Sequence, residues 1–300
     1  MTTMHAARGE FSHLDAEAAE LGVPLQRAER VSLALDDART LSALRFGDEA
    51  PRVVFAHGAG LNAHTWDRTV LALGLPALAL DLPGHGDSSW RDDADYDPAR
   101  LAPDVARAIE SWAAEPVAHV GHSLCGLTAL HVAASRPDLV ARIVLVDILP
   151  GAGADGSAQL ARFYERLDFD SIDDVLDHAG AFGLGGAREK ARRSVELNTR
   201  TRPDGRVEWK HHMARIMSPL APDARPAAPD ADAARRALEA AAAPIDLVAA
   251  EHGFLSRADV DAFRAARPGD AVHPVASSHN VQETAYLELA GLIRPAVPRT

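Results

Sequence analysis

From residue 29 onward the chain repeats one rhythm: a short apolar run, a polar or glycine-bearing turn, then a segment with apolar positions three or four residues apart. Glu29–Leu35 and Thr40–Phe46 alternate apolar and polar side chains around Asp36-Asp37, which predicts a hairpin. The runs at Arg52–Ala56, Pro76–Leu80, Pro116–Val120, Ala141–Val146, Ile245–Ala249 and Ala271–Val275 are continuous rather than alternating. Strands covered on both faces read this way, because neither side chain direction meets water. Helical periodicity falls between them, at Asn62–Leu73, Ala99–Ala113, Cys125–Ser135, a segment capped by Asp232 that runs to Ala242, Ala258–Ala266 and Val281–Ile293. Strands alternating with helices predict an α/β fold: a parallel sheet with helices on both faces.

The rhythm is interrupted twice. Residues 1–28 are polar and helix-prone and are expected to form a loosely attached leader. Residues 150–225 carry helical pieces at Gln159–Leu167, Ile172–Ala179 and Arg188–Thr199, a turn at Arg202-Pro203-Asp204-Gly205, and a Pro/Ala/Asp-rich linker over Pro219–Asp230. Phe163, Tyr164, Phe169, Phe182 and Trp209 need burying, so this stretch is expected to be a packed insertion over the strand-end edge of the sheet. In open parallel sheets that edge is where ligands bind. The expected organisation is therefore a leader (1–28), a core (29–149 and 226–300) and a helical cap (150–225).

Composition narrows the class of partner. A formal charge of −12 on 300 residues repels polyanions, so neither nucleic acid nor an anionic membrane is an expected partner. The single cysteine excludes an internal disulfide and a thiolate metal cluster. The first residues lack a charged start followed by an apolar run, and no stretch reaches membrane-spanning length. These features predict a cytoplasmic protein; no His/Asp/Glu spacing matches a metal site, so no metal and no cofactor are expected, and residues 150–225, apolar with scattered arginines, suit a partly apolar small molecule, while oligomeric state is left open.

The stretch Ala118–Ala129, AHVGHSLCGLTA, carries the candidate chemistry. A serine between an apolar strand and a helix start is held in strained geometry with its hydroxyl pushed out above the sheet edge. Gly121 and Gly126 supply the small residues such a crossing needs; the residue two after Ser123 is Cys125 where the G-x-S-x-G pattern has glycine. Cys125 itself is expected to point into helix packing and not toward substrate.

HGAGLNAHTW (His57–Trp66), DLPGHGDS (Asp81–Ser88), VGHSLCGLTAL (Val120–Leu130), IVLVD (Ile143–Asp147) and SSHNVQ (Ser277–Gln282) together resemble the α/β-hydrolase fold family, in its order and spacing, over roughly residues 30–295. The resemblance implies an eight-stranded, mostly parallel sheet with a helical cap after strand six. It implies Ser123 as nucleophile, and His279, on the loop after the last strand, as the base that takes its proton. His57 and His85 would be structural, His122 would pack beneath the serine, and His211-His212 would lie in the cap in solvated or pocket-lining roles. The backbone N–H groups of Ala59 and Leu124 would bind the oxyanion, the latter at a helix N-terminus.

The acid departs from the family pattern. Relatives usually carry an aspartate after strand seven in a stretch like G-E-H-D-x-L; here it reads Ala250-Glu251-His252-Gly253-Phe254-Leu255. Asp147 at the end of strand six, Glu251, or no carboxylate at all could fill the role. Two classes of function follow: a serine hydrolase of carboxylic esters or similar acyl groups, or an impaired relative that binds a small apolar ligand under the cap. A lyase or cofactor-free reaction in the same pocket is a third reading.

Overall fold

The computed structural model describes residues 9–152, 162–182, 188–218 and 229–298. Its centre is an eight-stranded sheet built from β1 (Ala28–Ala34), β2 (Thr40–Phe46), β3 (Val53–Ala56), β4 (Ala77–Asp81), β5 (Val117–His122), β6 (Val140–Val146), β10 (Ile245–His252) and β11 (Ala271–Ser278), in the order β1-β2-β4-β3-β5-β6-β10-β11. The pairings β1/β2 and β2/β4 are antiparallel and all the others parallel.

The continuous apolar runs are explained by two cores, one on each face. Along β3, Val54 and Ala56 point into one core, and Val53 and Phe55 into the other; Ile143 and Leu145 of β6 oppose Val144 and Val146 in the same way. Helices α3 (Pro98–Trp112), α4 (Leu124–Ser135), α8 (Ala231–Ala240) and α9 (Arg257–Ala266) cover the first face. Helices α1 (Leu14–Leu21), α2 (Asp67–Leu73), α10 (Val281–Thr284) and α11 (Tyr286–Ile293) cover the second. From β3 the chain moves to one side to form β4, then crosses back to form β5 on the other side. The loops leaving β3 and β5 therefore flank a topological switch point, where a crevice opens at the carboxyl ends of the strands.

Between β6 and α8 lie a three-stranded antiparallel sheet, β7 (Asp168–Phe169), β8 (Thr199–Thr201) and β9 (Val207–Trp209) in the order β7-β9-β8, and helices α5 (Ile172–Ala181), α6 (Arg188–Asn198) and α7 (Met213–Met217). Phe163, Phe169, Val175, Val207 and Trp209 form a core of their own there. An all-helical insertion is thus corrected to a mixed one: the expected turn at 202–205 joins two strands. Part of the expected helix at 159–167 and most of the 219–230 linker lie outside the described residues.

Three further expectations change. The described part of the leader, residues 9–28, is docked, not loose: Leu14 and Ala18, one helical turn apart on α1, are 2% and 3% exposed and bury against α2 in the second core. The eighth helix is capped by Asp230, whose carboxylate accepts from the N–H of Asp232 and Ala233, two residues earlier than expected. The last helix breaks at Ala285 (φ −131°, ψ 35°). No described helix is long and apolar enough to cross a membrane.

Candidate active site

The turn after β5 has the strain expected of it. Ser123 takes φ 52°, ψ −121°, a conformation few non-glycine residues adopt, and α4 starts at the next residue. Strand and helix touch: a Cβ on Gly121 would lie 2.5 Å from the carbonyl oxygen of Cys125, and one on Gly126 would lie 2.3 Å from Ile148 Cγ2. The close approach thus demands glycine at 121 and 126 and leaves 125 free to carry a side chain. The Cys125 thiol is fully buried, and burial pushes its pKa up, so it is held as the unreactive thiol.

His279 lies directly after β11, which runs three residues further than its apolar run suggests. Its Nδ1 is 2.8 Å from Oδ2 of Asp147, a fully buried residue at the end of β6 with φ 51°. The same carboxylate accepts from the N–H of Ala250 (3.0 Å, Oδ1) and of Phe254 (2.8 Å, Oδ2). These amides anchor the group at the mouth of the β10 loop. Gly253 explains itself in this setting: a Cβ there would fall 2.0 Å from Asp147 Oδ2. The side chain absent at 253 leaves the volume that the carboxylate of 147 fills. Glu251 is exposed and makes no hydrogen bond to His279 among the described residues.

The His279 imidazole is held between two rings. Phe254 stacks on it with centroids 3.5 Å apart and planes 16° from parallel, and the His122 ring lies 4.5 Å away. His122 Nε2, 3.1 Å from the carbonyl oxygen of His279, must be the donor there, since a carbonyl only accepts. Burial first, then the neighbouring His279, holds the His122 pKa well below its ordinary value, so His122 is neutral. The histidine beside Ser123 thus anchors the backbone of His279. The Ser123 hydroxyl makes no hydrogen bond to His279 among the described residues; catalytic contacts of this kind often close only around substrate.

On the other side of Ser123 runs the loop after β3. A Cβ on Gly58 would lie 3.0 Å from Ser123 Cβ, so the loop passes against the serine. His57, fully buried, gives its Nδ1–H to Gly58 O (2.8 Å) and accepts from Leu82 N–H at Nε2 (3.1 Å), which ties this loop to the end of β4. Burial lowers its pKa to about 4. The Ala59 N–H has no acceptor among the described residues, and Leu124 opens α4, so its N–H has no carbonyl one turn back. Beyond Ala59, Gly60 (φ 76°) meets the Tyr164 hydroxyl, 3.0 Å from where its Cβ would be, with His211 close by. His211 is buried, and His212 is half-buried, stacked on Trp90 and bonded to Tyr96. Tyr164 was visible in the sequence only as an aromatic residue needing burial.

Away from this crevice, His13, His64 and Asp67 bring potential metal-ligating atoms within 4.8 Å of one another. Arg193 binds Asp67 directly, so a cation already fills this cluster.

A family model described as alpha/beta hydrolase fold matches residues 51–200. The chain is 36% identical over 297 residues to the esterase Rv0045c of Mycobacterium tuberculosis, covering 95% of this chain and 94% of that protein. A solved structure of that esterase superposes with a TM-score of 0.83 at 35% identity, covering 97% of this chain and 99% of the other. The structure of E-2-(acetamidomethylene)succinate hydrolase, at 23% identity, superposes with a TM-score of 0.74 over 90% of this chain and 98% of the other and speaks to the fold alone.

Proposed function

The chain is an enzyme of the α/β hydrolase fold family, and from that premise we propose that it hydrolyses a carboxylic ester of a small, partly apolar molecule through an acyl-enzyme on Ser123. The observation that carries this reading is the Asp147–His279 hydrogen bond of 2.8 Å beside a serine at φ 52°. A serine hydroxyl is a weak nucleophile until a base takes its proton. Nδ1 of His279 donates to Asp147, which leaves Nε2 as the lone pair that accepts the Ser123 proton. Asp147 then stabilises the imidazolium that forms.

The attacked carbonyl oxygen gains negative charge, and the N–H groups of Ala59 and Leu124 receive it. Leu124 adds the partial positive charge of the α4 N-terminus. Collapse of the tetrahedral intermediate, with the proton returned from His279 to the departing alkoxide, leaves the acyl group on Ser123. Water then repeats the sequence in reverse roles and frees the acid. In this reading the 150–225 insertion is a cap that excludes water from the crevice.

Treatment with a fluorophosphonate tests the assignment. We expect one adduct, on Ser123, formed rapidly in the wild type and lost in His279→Ala. A folded protein that stays unmodified would instead favour a ligand-binding relative without turnover.

A further inference from the structure

We propose that the Tyr164 hydroxyl is a third, side-chain donor to the oxyanion, supplied by the insertion and not by the core. This rests on the esterase reading above. His211 is buried together with Tyr164. The N–H of Ala214 points at His211 Nδ1 (3.2 Å), and an amide N–H can only donate. Nδ1 is therefore the lone pair. Burial, with the neighbouring His85, depresses the His211 pKa to about 3, so the ring carries one proton, and that proton is on Nε2.

Nε2 faces the Tyr164 oxygen at 3.5 Å, a long contact in which the imidazole must be the donor. The phenol's own proton is then left over. Among the described residues no acceptor takes it, although Tyr164 is only 5% exposed and burial keeps the phenol protonated by raising its pKa. A buried donor without an acceptor is costly in the resting protein, and such groups concentrate where a ligand will supply the missing partner.

Position says which partner. The hydroxyl sits 3.0 Å from the point where a Cβ on Gly60 would be, directly over the loop whose Ala59 N–H is one of the two backbone donors. Gly60 at φ 76° leaves that point empty; any side chain there would take the space between the phenol and the loop. The ring is fixed from behind by Phe163 (centroids 5.0 Å), His211 (5.3 Å) and Trp209 (6.1 Å), so the hydroxyl is not free to swing to solvent. The group it can meet is an acceptor oxygen bound against the 58–60 loop: the substrate carbonyl oxygen as it becomes the oxyanion.

Tyr164→Phe tests this, because it removes one oxygen and keeps the ring packing. With p-nitrophenyl acetate as probe, kcat should fall about a hundredfold to a thousandfold with KM little changed, the range for one oxyanion donor. The rate of phosphonylation by a fluorophosphonate, whose phosphoryl oxygen occupies the same place, should fall by a similar factor. The thermal midpoint should stay at the wild-type value, which separates a lost donor from a damaged fold. Unchanged kcat, or a loss confined to KM, would overturn the proposal while leaving the esterase reading intact. A wild type that neither turns over the ester nor takes the label would overturn both.

Discussion

Two residues far apart in the chain, Asp147 and Gly253, occupy one small volume, and each makes sense only through the other. A carboxylate at 147 oriented toward His279 leaves 2.0 Å for a Cβ at 253, which no side chain can accept. Gly253→Ala should therefore push Asp147 off the imidazole as well as strain the β10 loop. We expect a cost of about 1–3 kcal/mol in denaturant unfolding, together with a fall in kcat; wild-type values of both would show that the loop yields freely. Asp147→Asn keeps the shape but gives up the charge and offers the imidazole the wrong partner, so kcat should fall by as much as about 10⁴. If steady-state assays find instead that Glu251→Gln is the damaging change, the acid is misassigned. Cys125 gives the opposite case. Its thiol is buried and held protonated, so Cys125→Ala should leave the rate of Ser123 phosphonylation within about twofold of wild type; a large loss would return the thiol to consideration as a participant.

At the level of elements, legibility in the sequence followed burial. The sheet strands were readable because a strand covered on both faces has no polar positions to interrupt it, as Val53–Ala56 shows. The elbow was readable because only small residues let β5 and α4 cross, and Gly121 meets backbone at 2.5 Å. Since backbone cannot rotate away as a side chain can, Gly121→Ala should cost at least about 2 kcal/mol and lower the urea midpoint; an unaltered midpoint would mean the crossing is looser than its geometry. What escaped the sequence had weaker local signals. Strands β7, β8 and β9 are two or three residues long, too short for any period to develop. Helix α1 presents only Leu14 and Ala18 fully to the core, a stripe easily taken for that of a solvated leader. The contact that supports Asp147 over Glu251 needed three dimensions, because no local pattern along the chain says that the end of β6 faces the loop after β11. Tyr164 and His211 belong to the insertion, and their approach to Gly60 follows from how that insertion seats over the sheet, not from any spacing.

Across the whole molecule, one buried carboxylate joins three parts of the chain. Asp67, at the start of α2, binds His13 of the N-terminal segment, His64 of the loop after β3, and Arg193 of the insertion; Arg193 also reaches Glu17 of α1. His64 gives its second nitrogen to Glu10, which Arg30 holds in turn. Burial alone would lower the His64 pKa, but the Asp67 and Glu10 carboxylates outweigh it and raise it from 6.5 to about 9. The direction sets the sign of the pH effect. A group whose folded pKa is raised contributes fully below its unfolded value, here about 6.5, and that contribution is lost as pH climbs through about 9. Asp67 works in the other sense: burial would raise its pKa, His64, His13 and Arg193 lower it to about 2, and its share persists until acid approaches that value. The thermal midpoint of the wild type should therefore exceed that of His64→Gln by a constant margin below about pH 6.5, with the gap narrowing above it and its pH-dependent part gone beyond about pH 9. A gap that stays constant from pH 6 to 10 would mean that His64 is neutral in the fold and carries no charge between Asp67 and Glu10.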